Sequence, residues 1–176
     1  NFPKPPALRS EFTHGGSVKL TYLAESFPHH FPSASLLYAV SSVGHPLRAS
    51  ILDLAKRRGL KVIVNQNGVS FPAWDGENYT ESNRDMKTVI SFADFIIYQS
   101  RFCKTSAERY ISPPDVPSEI IYNPVDIRLF TPGARSKKPD ELTLLLGGNQ
   151  YEKYRLELAL QTLKALHRDV PNAKLI

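Results

Sequence analysis

Apolar residues along the chain form short runs that alternate with helical stripes. Mostly apolar runs at 36–40, 61–64, 95–98, 119–122 and 142–146 are typical of buried strands in a parallel sheet. Between them, apolar residues recur three and four positions apart. This spacing predicts helices over 16–27, from Pro46 to a cap at Gly59, over 83–92, from an N-cap at Ser100 to Tyr110, and over 151–167. The alternation predicts an α/β fold, a Rossmann-like parallel sheet with helices on both faces.

A break in this pattern divides the chain into two unequal parts. Asn123-Pro124 ends the fourth run, because proline has no N–H to donate to a sheet. Residues 133–141 are polar and charged, which is typical of a linker. The sequence therefore predicts one domain over residues 1–132, a linker over 133–141, and the start of a second domain over 142–176. The chain does not begin with methionine and stops in what resembles a new strand, so we expect a fragment of a longer protein.

Composition is ordinary for a soluble globular protein, with 41% hydrophobic and 22% charged residues. No apolar run approaches the roughly 18–20 residues of a membrane helix. The single cysteine, Cys103, excludes an intramolecular disulfide and favours a reducing compartment, so a cytoplasmic location is predicted. The net charge of +5 suits phosphates or association with a membrane surface. No nucleic-acid partner is predicted, because aromatic and basic residues do not interleave.

Three polar segments are candidates for ligand binding, and the first is His14-Gly15-Gly16. It precedes the first predicted helix, where glycines let the backbone approach a ligand and free N–H groups attract an anion. An ordinary glycine turn explains an isolated glycine pair more simply.

The second candidate segment is Asn65-Gln66-Asn67-Gly68, which follows a predicted strand at its carboxyl end. Ligands of open α/β sheets bind at that edge, and amides both donate and accept hydrogen bonds. An asparagine–glycine turn accounts only for the last two residues. In the loop that follows, predicted over 68–82, Trp74 either stacks on a sugar or lies buried in the core.

The third candidate segment runs from Gly147-Gly148 to Lys153 and Arg155. Cations in the first turn of a helix oppose its dipole, and a bound anion would remove the conflict. The alternative is a solvated surface balanced by neighbouring glutamates. No metal site is predicted, since the histidines lack chelating spacing and no Asp-x-Asp pair is present. Cys103 is interpreted as structural.

Several of these motifs resemble GT-B glycosyltransferases of the family 4 type. Asn123-Pro124-Val125-Asp126, with Phe130 and Pro132 after it, is similar to the family's interdomain crossover, although Pro124 replaces a glycine. The glycine pair at 15–16 matches a family loop beside the cleft. Gly147 and Lys153 match the family's donor-phosphate pattern in spacing, whereas Gly148 replaces an arginine and Tyr154 a glycine. The resemblance covers nearly all of residues 2–176.

The resemblance implies transfer of a sugar from a nucleotide-sugar donor to the hydroxyl of a glycan or other acceptor. The reaction would retain the anomeric configuration without a metal, and the donor would be a co-substrate rather than a cofactor. Asn67 takes the place of a family histidine and is the catalytic candidate. The donor or phosphate candidates are Gly15, Gly16, Gly147, Gly148, Lys153 and Arg155, and the acceptor or sugar candidates are His14, Asn65 and Trp74.

Two alternatives stay open on the same fold. A non-catalytic relative that binds a sugar or a partner is suggested by the departures at Asn67, Gly148 and Tyr154. A nucleotide-sugar epimerase would convert the donor without an acceptor. Because the family's acidic donor-binding motif is not in the sequence, we expect this chain alone to be inactive.

Overall fold

The computed structural model of the chain describes residues 15–28, 33–128, 130–132, 142–148 and 153–176, with only the backbone of Tyr154. The chain divides into two compact units, Asn1–Pro124 and Val125–Ile176. The predicted linker at 133–141 lies outside the described residues. Within the described part, no helix is both long and apolar enough to cross a membrane.

A four-stranded parallel sheet forms the centre of the first unit. Its strands lie side by side in chain order, β1 (Leu36–Val40), β2 (Lys61–Gln66), β3 (Phe95–Tyr98) and β4 (Ser118–Ile120). Val40 lies opposite Asn65, and Gln66 lies opposite Tyr98. The carboxyl ends of the strands therefore meet at one edge of the sheet. The predicted α/β fold with a parallel sheet is confirmed.

Helices connect and flank these strands. They are α1 (Gly15–Ser26), α2 (Arg48–Arg57), α3 (Pro72–Asp75), α4 (Tyr79–Ser82), α5 (Arg84–Ile90) and α6 (Arg101–Tyr110), with a 3₁₀ turn over Gly76–Asn78. Two predicted helix ends are confirmed. Ser100 Oγ accepts a hydrogen bond from Cys103 N at 3.1 Å, and Gly59 ends α2 with a φ of 74°. Cys103 is buried and unpaired, in accord with a structural thiol.

The prediction of a long loop over 68–82 is wrong, because short helices occupy most of it. Pro72 sits in the first turn of α3, where its fixed φ suits a helix and its missing N–H costs nothing. Buried Asn83 then fixes the segment before α3. Its side chain accepts from Ser70 N and donates to Ser70 O, both at 2.8 Å, which satisfies both backbone groups.

The hydrophobic core lies on one face of the sheet. Alternate residues of the central strands point into it and meet one side of each of α2, α5 and α6. The buried members include Val62, Val64, Ile96, Tyr98, Leu52, Ala55, Val89, Ile90 and Ala107. The apolar spacing of α2 predicts a buried face of Leu47, Ile51, Leu54 and Ala55. This prediction is partly wrong, since Leu47 and Leu54 are exposed and Leu52 is buried. The helix begins at Arg48 and turns the Leu52–Ala55 side toward the sheet.

The opposite face of the sheet carries Asn65, whose side chain lies on the other side from Val64 and is hydrogen-bonded to Lys19 of α1. Helix α1 therefore lies on the face away from the core helices. This placement agrees with the prediction of helices on both faces.

The described residues of the second unit form a two-stranded parallel ladder and one helix. Strand β5 (Thr143–Leu144) pairs with β6 (Lys174–Leu175), and α7 (Lys153–Leu166) connects them. The ladder continues through Leu146 N to Ile176 O at 2.8 Å. Strand β5 itself is shorter than the predicted 142–146, although hydrogen bonds to the partner strand extend over that range. The apolar spacing of α7 predicts a packed stripe of Leu156, Ala159, Leu160, Leu163 and Leu166. Of these, Leu156 and Leu160 are 44% and 51% exposed.

Asp94 connects α2, β2 and the turn before β3, and this arrangement generates a pH prediction. Its carboxylate accepts from Val62 N at 2.8 Å and pairs with Lys56 Nζ at 2.8 Å. The hydrogen bond from Lys56, followed by that from the Val62 N–H, lowers the pKa of Asp94 below its ordinary value of 3.8. A lowered carboxylate pKa adds stability that is present above the ordinary pKa and is lost as the pH falls through the folded-state pKa.

We therefore expect wild type to be more stable than Asp94→Asn at neutral pH. The difference should stay constant down to a pH of about 5 and shrink as acidification protonates the carboxylate. Urea unfolding across this pH range measures it. Lys56→Met removes the main cause of the lowered pKa and should weaken the pH dependence. A difference that persists undiminished at a pH of about 2 would contradict this role of Asp94.

Candidate functional site

The ammonium group of Lys19 is hydrogen-bonded to three polar side chains at the carboxyl edge of the sheet. Lys19 Nζ donates to Asn65 Oδ1 at 2.8 Å, to Asn67 Oδ1 at 3.1 Å and to Gln99 Oε1 at 3.2 Å. Asn123 Nδ2 donates to the same Gln99 oxygen at 3.2 Å. We call Lys19, Asn65, Asn67, Gln99 and Asn123 the Lys19 cluster.

The sheet register explains why these side chains meet. Asn65 lies near the end of β2, Gln99 directly follows β3, and Asn123 follows β4. Asn65 is paired with Ile97 and Gln66 with Tyr98, so the next residues along, Asn67 and Gln99, leave the sheet side by side. The cluster therefore occupies the edge at which open α/β sheets bind ligands.

The end of β1 also supports the cluster. Asn67 N donates to Ser41 Oγ at 3.0 Å, and Asn67 Nδ2 donates to Ser42 Oγ at 2.5 Å. Gln66 is fully buried, and its Nε2 donates to the Asn67 carbonyl at 3.0 Å. Both the backbone and the amide of Asn67 are thus held in place.

The described hydrogen-bond partners of the cluster's cation are neutral amides. Donation to three acceptors requires the protonated form of Lys19, because a neutral amine has only two hydrogens. Burial lowers the pKa of Lys19 below 10.5, with a smaller opposite effect from Cys103. Among the described ion pairs, none involves Lys19. Burial also raises the pKa of Tyr38, opposed by its hydrogen bond with Asn65.

Gly16 brings α1 close to the end of β1. A Cβ on Gly16 would lie 2.8 Å from Ser42 Oγ, 2.9 Å from Val43 Cγ2 and 3.0 Å from Val40 Cγ1. A Cβ on Gly15 would meet nothing within 4 Å. Gly16 therefore has a packing role that positions the helix carrying Lys19, and contact of either glycine with a ligand stays a prediction. His14 lies outside the described residues.

Trp74 is exposed, with 57% of its surface accessible, so the alternative of a buried core indole is wrong. Its ring packs beside Phe71, with centroids 6.1 Å apart, and Phe71 contacts Phe102 at 6.2 Å. No hydrogen bond among the described contacts joins Trp74 to the Lys19 cluster.

In the second unit the structure places Arg155, rather than Lys153, against the glycine pair. Gly148 adopts a φ of +92°, and a Cβ there would overlap Nη1 of Arg155. Lys153 is 88% exposed and pairs with Glu157 at 3.5 Å, as the solvated-surface alternative supposes. Gly147 lies in the turn after β5, and residues 149–152 are outside the described part.

A separate cavity of about 380 Å³ lies beside the start of α2, lined by His45, Pro46, Arg48, Ala49, Asp85 and Thr88. Its arginine donates to Ser41 O at 3.2 Å and Val43 O at 2.9 Å, and pairs with Asp85 at 3.1 Å. Arg48 thus holds the turn that presents Ser41 to Asn67. None of the lining residues belongs to the Lys19 cluster, so we assign the cavity a supporting role.

Sequence reasoning found Asn65 and Asn67 but missed Lys19, Gln99, Asn123 and the supporting serines. A usable signal existed for most of them, since each lies one or two positions beyond a predicted strand. Lys19 had no such signal, because helical periodicity does not reveal what the polar side of a helix contacts. In the described residues, no group of three or more His, Cys, Asp or Glu side chains could hold a metal ion.

The contacts of Gly16 generate a stability prediction. Gly16→Ala should destabilise the protein by about 1–3 kcal/mol, because valine side chains and the Ser42 hydroxyl must shift to admit the methyl group. Gly15→Ala is the matched control, and it should be neutral or stabilise by up to about 1 kcal/mol, because helical alanine loses less entropy. Urea unfolding measures both. Equal stability of the two variants would contradict the packing role.

Comparison with known proteins assigns neither a family nor a function. No model of a protein family matches the chain, and no curated protein matches it. Function is therefore inferred from the residues themselves and from where the fold places them.

Proposed function

We propose that the chain belongs to a GT-B glycosyltransferase that moves a sugar from a nucleotide-sugar donor to an acceptor hydroxyl, with retention and without a metal. The observation that carries the proposal is the Lys19 cluster at the carboxyl edge of a parallel sheet. Amides suit sugars, because each hydroxyl both donates and accepts hydrogen bonds. The family motifs in the sequence supply the reaction type.

The first unit would hold the acceptor. Asn67, fixed by Ser41, Ser42 and Lys19, would position the reacting hydroxyl. An amide has no basic group that takes up a proton at neutral pH, so the protein would contribute orientation and electrostatic stabilisation. Trp74 is exposed and available to stack on a sugar face.

The second unit would hold the donor diphosphate. Gly147 and Gly148 precede the N-terminus of α7, where free N–H groups attract phosphate. Arg155 lies against Gly148, the position at which the resembling family has an arginine, and would supply that missing cation from the helix. Lys153 would contribute a second positive charge, shared with Glu157.

A binding protein without turnover is the second candidate, and one observation favours it. Among the described contacts of the Lys19 cluster there is no histidine or carboxylate that could take a proton from an acceptor. Such a protein would bind glycan and release no nucleotide.

The test uses the protein expressed from its complete reading frame. Nucleoside diphosphate release is measured with a panel of nucleotide sugars, with and without a mixture of glycan acceptors. We expect one donor to give acceptor-dependent release. Donor conversion without any acceptor would indicate an epimerase, and glycan binding without release would indicate the binding protein. Either result would contradict the transferase proposal.

Arg155→Met tests the proposal that the second unit binds the donor diphosphate. Loss of a charged hydrogen-bond donor costs about 1.5–3 kcal/mol, so the donor affinity should fall about ten- to hundredfold. Arg168→Met, beyond the other end of α7, is the control and should leave the affinity unchanged. Calorimetric titration with the active donor measures both variants. An unchanged affinity in Arg155→Met would contradict the assignment of Arg155 to the phosphates.

A further inference from the structure

We propose that the Lys19 cluster binds an oxyanion, the carboxylate or phosphate group of an acidic sugar. That this sugar is the acceptor rests on the proposed function, whereas the binding of an oxyanion does not. The basis is an ammonium group at a ligand-binding sheet edge whose described partners are all neutral amides.

Partial burial without a carboxylate in any described ion pair distinguishes Lys19 from the other described cations of the same unit. Arg48, Lys56, Arg57, Arg84 and Lys104 each pair with an aspartate or glutamate. No described ion pair involves Lys19, although its side chain lies among residues partly removed from water. A desolvated charge without a counter-ion is costly unless a ligand supplies one.

The amide groups of Asn65, Asn67 and Gln99 hold Lys19 through their oxygens. Their oxygens point at the ammonium, so their NH₂ groups point away from it. Asn67 Nδ2 donates to Ser42, and Asn123 Nδ2 donates to Gln99, whereas Gln99 Nε2 has no partner among the described contacts. An incoming oxyanion would replace one neutral amide oxygen on Lys19 with a charged and stronger acceptor, and Gln99 Nε2 would donate to it after that side chain turns.

The cluster is also open to a ligand. Lys19, Asn67 and Gln99 are half-buried, and Asn123 is exposed. The ammonium is therefore desolvated enough for a charged hydrogen bond to be strong, yet not sealed by protein. An amide that loses its contact with Lys19 can turn about its last side-chain torsion and donate to the anion instead.

The donor diphosphate is the other possible source of an oxyanion. We assign the cluster to the acceptor because it belongs to the first unit, whereas the glycine pair and Arg155 of the second unit suit a diphosphate. A purely structural role, in which Lys19 only tethers α1 to the sheet, is the remaining competitor.

Calorimetric titrations of the full chain at constant ionic strength separate these cases. The probes are glucuronate, glucose phosphate, neutral glucose and uridine diphosphate. We expect both acidic sugars to bind at least about tenfold more tightly than glucose. Lys19→Met should weaken their binding about ten- to hundredfold and leave that of uridine diphosphate unchanged. Lys19→Arg should retain most of the affinity, and Lys87→Met, on the exposed side of α5, is the control.

Three outcomes would overturn the proposal. The first is that acidic sugars bind no better than glucose. The second is that they bind a folded Lys19→Met protein as tightly as wild type, which would leave Lys19 only a structural role in tethering α1. Lys19-dependent binding confined to uridine diphosphate would assign the cluster to the donor. If Lys19→Met does not fold, Gln99→Leu is the alternative variant, because it removes an amide donor that has no partner among the described contacts. It should weaken the binding of acidic sugars severalfold. An unchanged affinity would contradict the proposal.

The binding result is independent of turnover. Lys19-dependent binding of an acidic sugar by a protein that transfers no sugar would sustain the oxyanion site and contradict the transferase. Sugar transfer by a protein that binds acidic sugars without needing Lys19 would support the transferase and contradict the oxyanion site.

Discussion

An ammonium group that leaves water must find other acceptors, and the polar edge of this sheet is organised by that requirement. Three amide oxygens, one from β2 and two from the residues that follow β2 and β3, replace water around Lys19. Ser41, Ser42 and Asn123 hold those amides from the two outer strands. The arrangement depends on Gly16, because a larger residue would push α1 away from the end of β1. The position of the Lys19 ammonium thus depends on helix packing, on hydrogen bonds and on its own charge.

Much of the fold of the first unit was predictable because buried parallel strands are short, apolar and regularly spaced. Strands β1 and β3 match the predicted 36–40 and 95–98. Strand β2 runs two residues past its apolar run, because sheet pairing continues through Asn65 and Gln66 where hydropathy ends. Between 68 and 82 the composition predicted a loop, but short helices form there. These helices carry no apolar stripe, and they depend instead on Pro72 and on the hydrogen bonds of buried Asn83. Helix α2 carries apolar residues on two sides, and its contact with the sheet determines which side is buried.

The candidate site was less predictable than the fold because it is built from contacts across the sequence. Asn65 and Asn67 were found from their place after a strand. Lys19 lies 46 and 48 residues away from them, and nothing in the helical pattern indicates its partners. Likewise, Arg155 reaches Gly148 through the geometry of a left-handed glycine, which spacing alone does not reveal. Asn67 and Gly148 are thus each accompanied by a cation from a helix that follows or precedes them in the chain.

Side-chain amide NMR shows whether a ligand binds at the Lys19 cluster. Titration of the isotope-labelled chain with glucuronate should shift the NH₂ signals of Gln99, Asn67 and Asn65 first, at concentrations that leave the backbone signals of the cavity residues His45 and Thr88 unmoved. Shifts confined to that cavity, or saturable binding that leaves the three amides unchanged, would place the ligand elsewhere and contradict the account.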